Sequence, residues 1–458
     1  MLADLASGVG GACEIGRAAT NVSEATREPE LVRAVGTLGL AASIVNVTIG
    51  GGIFRLPALV AASLQAAAPL SFLVCAAAMG LIVACFAEAG RRVDLTGGPY
   101  AYVEVAFGSF AGYFAGVMVW LLGTLAVAAV STIFADSVGA LVPILDGGIG
   151  RAAFLVVIFG LLSAINIRGV RQGTRLNEVA TAAKLLPLLL LIVVGAFAVR
   201  PSNLVWTEPV SAGAVARASI LLIFAFSGVE SALVPSGEIK DVRRTVPRAI
   251  LFAMVVITAF YLAIQTVAQG VLGVGLAAER TPLAAAASQI FGPWGGTMLL
   301  LGAAVSMFGY VSGMTLAVPR ALFAFGRDGF LPRAMARVHP AYRTPHVAIA
   351  TQSAIVCALA ITSGFERLAI FANLATLILY AACCLAAWEL ARRDPLVAGS
   401  PRRRWRAAVV PFAACGAILW LLTSITWEEW RVAGFVLVAA SLLFILTGRA
   451  RRRARAMA

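Results

Sequence analysis

The stretch Ile49-Gly50-Gly51-Gly52-Ile53-Phe54 lies in the middle of an apolar run that is long enough to cross a bilayer. Three adjacent glycines weaken a helix by roughly 1 kcal/mol each relative to alanine, and Pro57 then removes a further backbone donor. Backbone groups freed at membrane depth are tolerated only where protein or a polar cavity satisfies them. The stretch therefore predicts either a helix broken for a function or close helix packing, which small residues also permit.

A second apolar run is interrupted at Phe224-Ala225-Phe226-Ser227-Gly228-Val229-Glu230-Ser231, where a glycine, a carboxyl group and serines replace apolar residues. The two interruptions fall in the first and sixth predicted spans, and breaks at matching positions of two halves indicate an inverted repeat with a midplane substrate site. The half-helix after Gly52 presents free N–H groups and a positive dipole end, which suit a carboxylate. Unwound carbonyl groups suit an ammonium group, so the two breaks predict a site for the backbone of an amino acid.

Composition agrees with a chain that crosses the membrane many times. Of the 458 residues, 60% are hydrophobic and 13% are charged, whereas an ordinary soluble domain carries about 25% charged residues. These values exclude a disordered chain, a disulfide-built secreted domain and most soluble enzymes. Apolar runs of spanning length recur twelve times. Their approximate limits are 36–64, 69–90, 110–142, 152–167, 176–199, 216–237, 248–272, 295–324, 347–363, 367–390, 407–424 and 431–448.

The positively charged residues behind the net charge of +14 are distributed unequally between the two predicted sides of the membrane. With a cytoplasmic N-terminus, predicted inner segments contain 28 of the 36 Lys and Arg residues and predicted outer loops contain 6, while Arg55 and Lys184 lie inside spans. Cytoplasmic loops of inserted proteins are enriched in Lys and Arg. The tally predicts a multi-pass protein of the plasma membrane, which in a bacterium is the inner membrane. Both termini are predicted to be cytoplasmic, and no nucleic-acid partner is expected. The seven cysteines, six of them in apolar stretches without a CxxC pair, are predicted to be reduced and structural.

Five segments together resemble the amino acid–polyamine–organocation family of transporters. They are IGGGIF (49–54), FAEAGRRVDLTGGPYAYVEVAFG (86–108), NIRGVRQGTRLNEVATAAKLLPL (166–188), FAFSGVESALVPSGEIKD (224–241) and GRDGFLPRAMARVHP (326–340). The resemblance implies an all-α polytopic membrane protein of twelve transmembrane helices with a LeuT-like 5+5 inverted repeat, broken helices 1 and 6, and two peripheral helices. Together with the span limits, this fold predicts a cytoplasmic tail at 1–33, repeats at 34–199 and 216–391, peripheral spans at 392–448 and a basic cytoplasmic tail at 449–458.

The resemblance also implies roles for individual residues. Backbone N–H groups at 50–52 would hold the substrate carboxylate, and the carbonyl groups of Thr48, Phe224 and Ser227 would take the α-ammonium group. Phe224 would also cover the substrate as a gate. The family often has Ser or Ala where this chain has Gly51, so a hydroxyl contact to the carboxylate is absent. The residues implied to bind substrate are Thr48, Ile49, Gly50, Gly51, Gly52, Phe224, Ala225, Ser227 and Met314.

Lys184 is the residue of this sequence that most strongly suggests ion coupling. An intramembrane lysine costs about 2.5–3.5 kcal/mol on insertion scales and is a functional candidate by default. It lies about nine residues from the predicted cytoplasmic end of its span, roughly 13 Å deep at 1.5 Å per residue, which is far for snorkelling. In the resembled family a lysine here takes the place of the cation of sodium-coupled relatives. The resemblance therefore implies proton coupling or sodium-independent exchange in preference to sodium coupling.

Three further residues each admit two interpretations. Glu230 is a gating or coupling carboxylate, or an acid that the N-terminal dipole of the second half-helix stabilises. Met314 limits the volume of the side-chain pocket, or fills a gap in a helix interface. Arg55 faces an outer vestibule or pairs with an acid.

The function predicted from these features is secondary active transport of small to medium neutral L-amino acids. A cationic amino acid or polyamine exchanger is the alternative. No filter-like string favours a channel, and the chain lacks HExxH, an intramembrane histidine cluster and a Gly-x-Ser-x-Gly elbow, so an enzyme is not expected. The expected partners are an amino acid, protons and the lipid bilayer. No cofactor or metal is expected, and no partner subunit is evident.

Overall fold

The computed structural model describes residues 36–90, 92, 99–169, 174–206, 209–229, 242–394, 397 and 401–456. Within these ranges the chain forms helices and turns and no β-strand, which confirms the all-α prediction. The predicted tail at 1–33 and Glu230 lie outside them. The α-helices are α1 Thr37–Thr48, α2 Leu56–Leu64, α3 Ala68–Gly90, α4 Pro99–Phe107, α5 Ser109–Leu141, α6 Gly148–Ile167, α7 Thr174–Gly195, α8 Ala212–Phe226, α9 Val242–Leu272, α10 Pro282–Phe291, α11 Pro293–Ala317, α12 Pro319–Arg327, α13 His346–Thr362, α14 Phe365–Arg393, α15 Pro401–Leu422 and α16 Trp427–Ala456.

Many of these helices are apolar enough to lie in a membrane. By length and composition, seven helical runs in the described part can cross one: Leu56–Gly90, Ser109–Leu141, Gly148–Ile167, Arg244–Ala278, Pro293–Arg327, Phe365–Arg393 and Trp427–Thr447. Shorter apolar helices are Thr37–Thr48, Ala183–Ala198, Ala212–Phe226, Pro282–Phe291, His346–Thr362 and Ala407–Leu422. The chain is thus a polytopic membrane protein, while the count of twelve spans, the inverted repeat and the division into segments stay predictions.

The helices are interrupted where glycine and proline weaken them. The first predicted span, 36–64, consists of α1 and α2 with a 3₁₀ turn, Gly51–Phe54, between them. The sixth predicted span leaves helical geometry after Phe226, where α8 ends. The eighth predicted span is divided into α11 and α12 at Val318, directly before Pro319, because proline cannot donate the next backbone hydrogen bond.

The surface of the bundle is apolar over large areas. α6, α7, α9 and α16 expose leucine, valine and phenylalanine side chains, among them Val157, Leu186, Leu251 and Phe435. Soluble monomers rarely expose apolar patches of this extent, and the surface fits contact with lipid. The centre is packed by α5, α8, α9, α11 and α14, whose buried side chains form one continuous apolar core.

Helix ends that the charge tally assigns to one side of the membrane contact one another. At one end Arg280 pairs with Asp146 at 3.3 Å, and Arg217 pairs with Glu429 at 3.0 Å. We call this the outer end, after its predicted orientation. At the opposite, inner end Arg92 pairs with Asp394 at 3.3 Å. The contacts agree with a chain that alternates between two sides, although which end faces the cytoplasm stays a prediction.

Candidate functional site

The first break is a tight turn between two helix ends. α1 ends at Thr48, and Ile49 adopts φ −72° and ψ 82°, the geometry of an inverse γ-turn. The turn is closed by the Gly50 N–H, which donates to the Thr48 carbonyl oxygen at 2.7 Å. The predicted donor at Gly50 is therefore already occupied in this conformation. Ile49 itself is buried.

Gly51 and Gly52 allow two other elements to approach the turn closely. A Cβ on Gly51 would lie 3.1 Å from Val130 Cγ1 on α5, and a Cβ on Gly52 would lie 2.9 Å from Cδ1 of the Phe224 ring. Both contacts are tighter than side chains normally tolerate. The N–H groups of these two glycines have no acceptor among the described residues, since they begin the 3₁₀ turn.

The second break lies beside the first. Ser227 is extended, with ψ 154°, and Gly228 has φ +110°, which only glycine adopts readily. A Cβ on Gly228 would lie 3.2 Å from Val47 Cγ1, so the end of α8 packs against the last turn of α1. The structure therefore brings the two interrupted segments into contact, as the paired breaks predict.

Tyr261 of α9 joins the two breaks, and the sequence did not single it out. Its hydroxyl oxygen lies 2.9 Å from the Thr48 carbonyl oxygen and 2.9 Å from that of Ala225. The ring is fully buried and packs edge-on against Phe72 and Phe226. A tyrosine hydroxyl carries a single proton, so it donates to one of these oxygens at a time. The other oxygen remains able to accept from a ligand.

Replacing this tyrosine tests its bridging role. We expect Tyr261→Phe to lower the initial rate of substrate uptake into proteoliposomes about fivefold, because a buried carbonyl oxygen loses a hydrogen bond of about 1 kcal/mol. The matched control is Tyr342→Phe, which alters an exposed tyrosine in the loop before α13. Equal rates for the two variants would contradict a role for the Tyr261 hydroxyl.

Lys184 is placed at the carboxyl end of α1. It is 8% exposed, and its Nζ donates to the Asn46 carbonyl oxygen at 2.6 Å. Lys184 forms no ion pair within the described residues, and its ammonium group lies at the end of α1 where the helix dipole is negative and favours a cation. The Thr181 hydroxyl donates to Asn46 Oδ1 at 2.9 Å and fixes the same residue.

A proline and a glycine hold Lys184 near the bundle centre. Pro187 has no N–H to offer the Ala183 carbonyl group one turn before it. Gly302 of α11 approaches that carbonyl so closely that a Cβ could not be accommodated. α7 and α11 therefore cross directly beside Lys184.

Polar groups without a partner mark the site as incomplete. The Thr48 hydroxyl is buried and has no hydrogen-bond partner among the described residues. Both amide atoms of Gln265, one turn after Tyr261 on α9, are likewise buried and unpaired there. Buried polar groups normally have partners, and a polar ligand or water would supply them. The carbonyl oxygen of Phe224 accepts one hydrogen bond in this conformation, from the Ser227 hydroxyl at 3.0 Å, and so has one lone pair left for a ligand.

Apolar side chains close the site on two sides. The Phe224 ring stands edge-on to Phe365, with 5.4 Å between centroids. Met307 is fully buried on α11, and its Cγ would lie 3.5 Å from a Cβ on Gly51. Met314, which the resemblance implies as a pocket wall, lies two helical turns further along α11 and is half-buried. The role of Met314 as a pocket wall stays a prediction, and Met307, which the sequence analysis did not name, lies closer to the first break.

Arg55 lies beyond the break and faces the outer end. Its Nη1 donates to the Glu279 carbonyl oxygen at 2.7 Å, in the segment between α9 and α10. The next residue, Arg280, pairs with Asp136 at 3.5 Å, and Asp136 also pairs with Arg151. These contacts tie α2 and α5 to the segment that covers the outer end.

The described residues contain no group of three His, Cys, Asp or Glu side chains that could hold a metal ion. The six cysteines among them, from Cys75 to Cys415, are free thiols. Among the described residues named above at the breaks, from Thr48 to Gly52 and from Phe224 to Gly228 with Tyr261 and Lys184, only Lys184 carries a charge. The arrangement suits a ligand with its own donors and acceptors.

Comparison with known proteins finds transporters. Residues 35–447 match the family described as amino acid permease. The chain is 26% identical to the methylthioribose transporter of Bacillus subtilis, over 93% of this chain and 96% of that protein. It is 27% identical to the serine/threonine exchanger SteT of the same organism, over 94% and 99% of the two chains. It is 26% identical to the branched-chain amino acid permease BcaP, over 93% and 94%.

Proposed function

Since the chain belongs to the amino acid permease family, and is therefore a membrane transporter rather than an enzyme, we propose that it carries small to medium neutral L-amino acids by alternating access. The observation that carries this proposal is the meeting of the two breaks at Tyr261, beside unpaired backbone N–H groups. Transporters of this architecture rock one helix bundle around a midplane site built from such breaks.

The unpaired donors of the first break support a site for the substrate carboxylate. The N–H groups of Gly51 and Gly52 begin a 3₁₀ turn that leads into α2, where the backbone dipoles favour an anion. The Thr48 hydroxyl can add a third hydrogen bond. When substrate binding opens the turn at Ile49, the Gly50 N–H leaves the Thr48 carbonyl oxygen and becomes a further donor to the carboxylate.

The carbonyl oxygens of the two breaks support a site for the α-ammonium group. The carbonyl oxygens of Thr48 and Ala225 share the single proton of the Tyr261 hydroxyl. An ammonium group can donate to the Ala225 oxygen when that proton goes to Thr48, and to the Thr48 oxygen once the Gly50 N–H has left it. The Ser227 carbonyl group completes the set, and Phe224 covers the substrate from the side of Phe365. A gating role for Glu230 stays a prediction, because this residue lies outside the described ranges.

The buried ammonium group of Lys184 supports proton coupling. It contacts the same helix end, α1, whose last carbonyl groups take part in the proposed substrate site. A change in its charge alters the attraction between α7 and α1 and so favours one arrangement of the first break over another. The position of Lys184 next to α1 also supports sodium-independent transport. Its ammonium group would take the place that a sodium ion occupies in the sodium-coupled relatives of the resembled family.

The apolar neighbours of the break support a neutral side chain of limited size. We expect Met307→Ser to weaken binding of branched-chain substrates several-fold, because it removes apolar contact next to Gly51. Met314→Ser should broaden the range of accepted side chains if Met314 limits the pocket. Competition of unlabelled amino acids against a labelled substrate in proteoliposomes measures both. An unchanged range in Met314→Ser removes that residue from the substrate site.

The decisive experiment for the function combines binding and exchange. Purified protein is screened by thermal shift against the twenty amino acids and several polyamines, and the strongest ligand is tested for saturable counterflow in proteoliposomes. Neutral amino acids should stabilise the protein and exchange. Stabilisation by polyamines or by lysine and arginine alone would establish the alternative, and flux without counterflow would indicate a channel.

A further inference from the structure

The last helix, α16, leaves a gap between itself and the rest of the bundle. Phe435 is 75% exposed, whereas Ala433 and Leu437 on the opposite face turn toward the body. Between that face and α5, α13 and α14 lies a cavity of about 480 Å³, which we call the α16 slot. Its walls include Leu121, Leu125, Leu359, Phe371, Ile378 and Leu437.

The size of the α16 slot determines what can fill it. An α-helix with its side chains is about 10–12 Å across, so roughly one turn of helix would occupy a volume of 480 Å³. A helix of a second copy or of a partner therefore does not fit. A flexible hydrocarbon chain does, because it can follow a narrow apolar path. A gap left empty would forfeit the contacts of its apolar lining.

The α16 slot opens at the outer end into a wider recess of about 1170 Å³, whose lining combines charged side chains with apolar ones such as Phe371, Phe435 and Val438. Arg367, Phe371 and Val432 line both spaces, so the two are continuous. In the recess, Arg217 and Glu429 form a two-pronged ion pair with both N–O distances at 3.0 Å. This pair leaves the other charged groups of the recess available.

Four of these charged groups have no ion-pair partner within 4.0 Å in the part of the chain that the structure describes: Glu366, Arg367, Glu428 and Arg431. Two are guanidinium groups, which bind phosphate well, and two are carboxylates, which bind an ammonium group. Their combined charge is zero. The recess therefore complements a head group that carries both a phosphate and an ammonium group.

We propose that the α16 slot and the recess together bind one phospholipid with a phosphoethanolamine head, with an acyl chain in the slot. Arg367 and Arg431 hold the phosphate, and Glu366 and Glu428 receive the ammonium group. The lipid fills the space between α16 and the bundle and so fastens this helix to the body.

The test uses the full-length protein, purified and stripped of lipid in detergent. Phosphatidylethanolamine and phosphatidylglycerol with identical chains are titrated separately, while the unfolding temperature is recorded and bound lipid is counted by native mass spectrometry. We expect phosphatidylethanolamine to bind as one molecule and to raise Tm by roughly 3 °C or more. Equal binding of phosphatidylglycerol would overturn the head-group assignment.

Variants separate the head-group site from the slot. Arg367→Gln with Arg431→Gln should lower phosphatidylethanolamine affinity at least fivefold, whereas Arg337→Gln, an exposed arginine at the inner end, should not. Val436→Trp fills the slot and should abolish the bound lipid, while Ile445→Trp adds the same ring at an exposed position of α16. Because α16 packs loosely, both tryptophan variants should fold. Retained lipid in Val436→Trp, or dimers in place of a lipid-bound monomer, would overturn the proposal.

Discussion

Lys184→Ala is expected to abolish uptake driven by a proton gradient, lowering accumulation in proteoliposomes by more than tenfold. The wild-type ammonium group is buried and contacts the Asn46 carbonyl oxygen at the end of α1. Without it, protonation no longer alters the attraction between α7 and α1. The measurement is accumulation of labelled substrate with and without an imposed proton gradient.

Two further variants separate coupling from structural support. Lys184→Gln keeps a donor for the Asn46 carbonyl group but cannot change charge, so it should restore the thermal stability that alanine loses while remaining uncoupled. Lys240→Ala removes the chain's other lysine, in a predicted cytoplasmic segment outside the described residues, and should leave coupling unchanged. Gradient-driven uptake that survives in Lys184→Gln would contradict the coupling role.

The interruption of the first span could be predicted from the sequence because its cause is local. Three glycines and a following proline weaken a helix wherever they occur, and α1 ends and α2 begins on either side of them. Lys184 was also evident, because a lysine at membrane depth is costly in any fold. Its partner was not, since a backbone carbonyl 138 residues away leaves no pattern in the sequence.

The features that the sequence missed depend on tertiary contacts. Tyr261 lies in an ordinary apolar stretch between Phe260 and Leu262, and its hydroxyl acquires a role only because two helix ends expose carbonyl oxygens beside it. The N–H of Gly50 was predicted to be free, but the backbone angles of Ile49 direct it to Thr48. Motif patterns do not specify such angles.

The three glycines should differ in how much they tolerate a methyl group. We expect Gly52→Ala to lower uptake at least twentyfold, because its Cβ would lie 2.9 Å from the Phe224 ring and 3.2 Å from Leu56. Gly51→Ala should have a smaller effect, since only Val130 is tight against the added atom, at 3.1 Å, while Met307 lies at an ordinary contact distance of 3.5 Å. Gly50→Ala should be mildest, with its nearest atom at 3.8 Å. The measurement is initial uptake at equal amounts of reconstituted protein.

Gly80→Ala is the matched control, because its Cβ would meet nothing within 4 Å and alanine favours the helix. Equal losses at the three glycines of the break would contradict the steric explanation and would indicate that chain flexibility is what matters there.

A double substitution then tests whether Phe224 is the group that Gly52 must accommodate. Phe224→Leu removes the ring that the new methyl group would strike, so adding it to Gly52→Ala should recover part of the lost uptake. The two effects should be non-additive by more than 0.5 kcal/mol, as expected for residues in direct contact. Phe365→Leu alters the ring that packs on Phe224. Phe365 is not among the nearest neighbours of a Cβ on Gly52, so this change should not rescue. If the ring closes over the substrate only because Gly52 leaves room for it, then the glycine serves the gate as well as the carboxylate site.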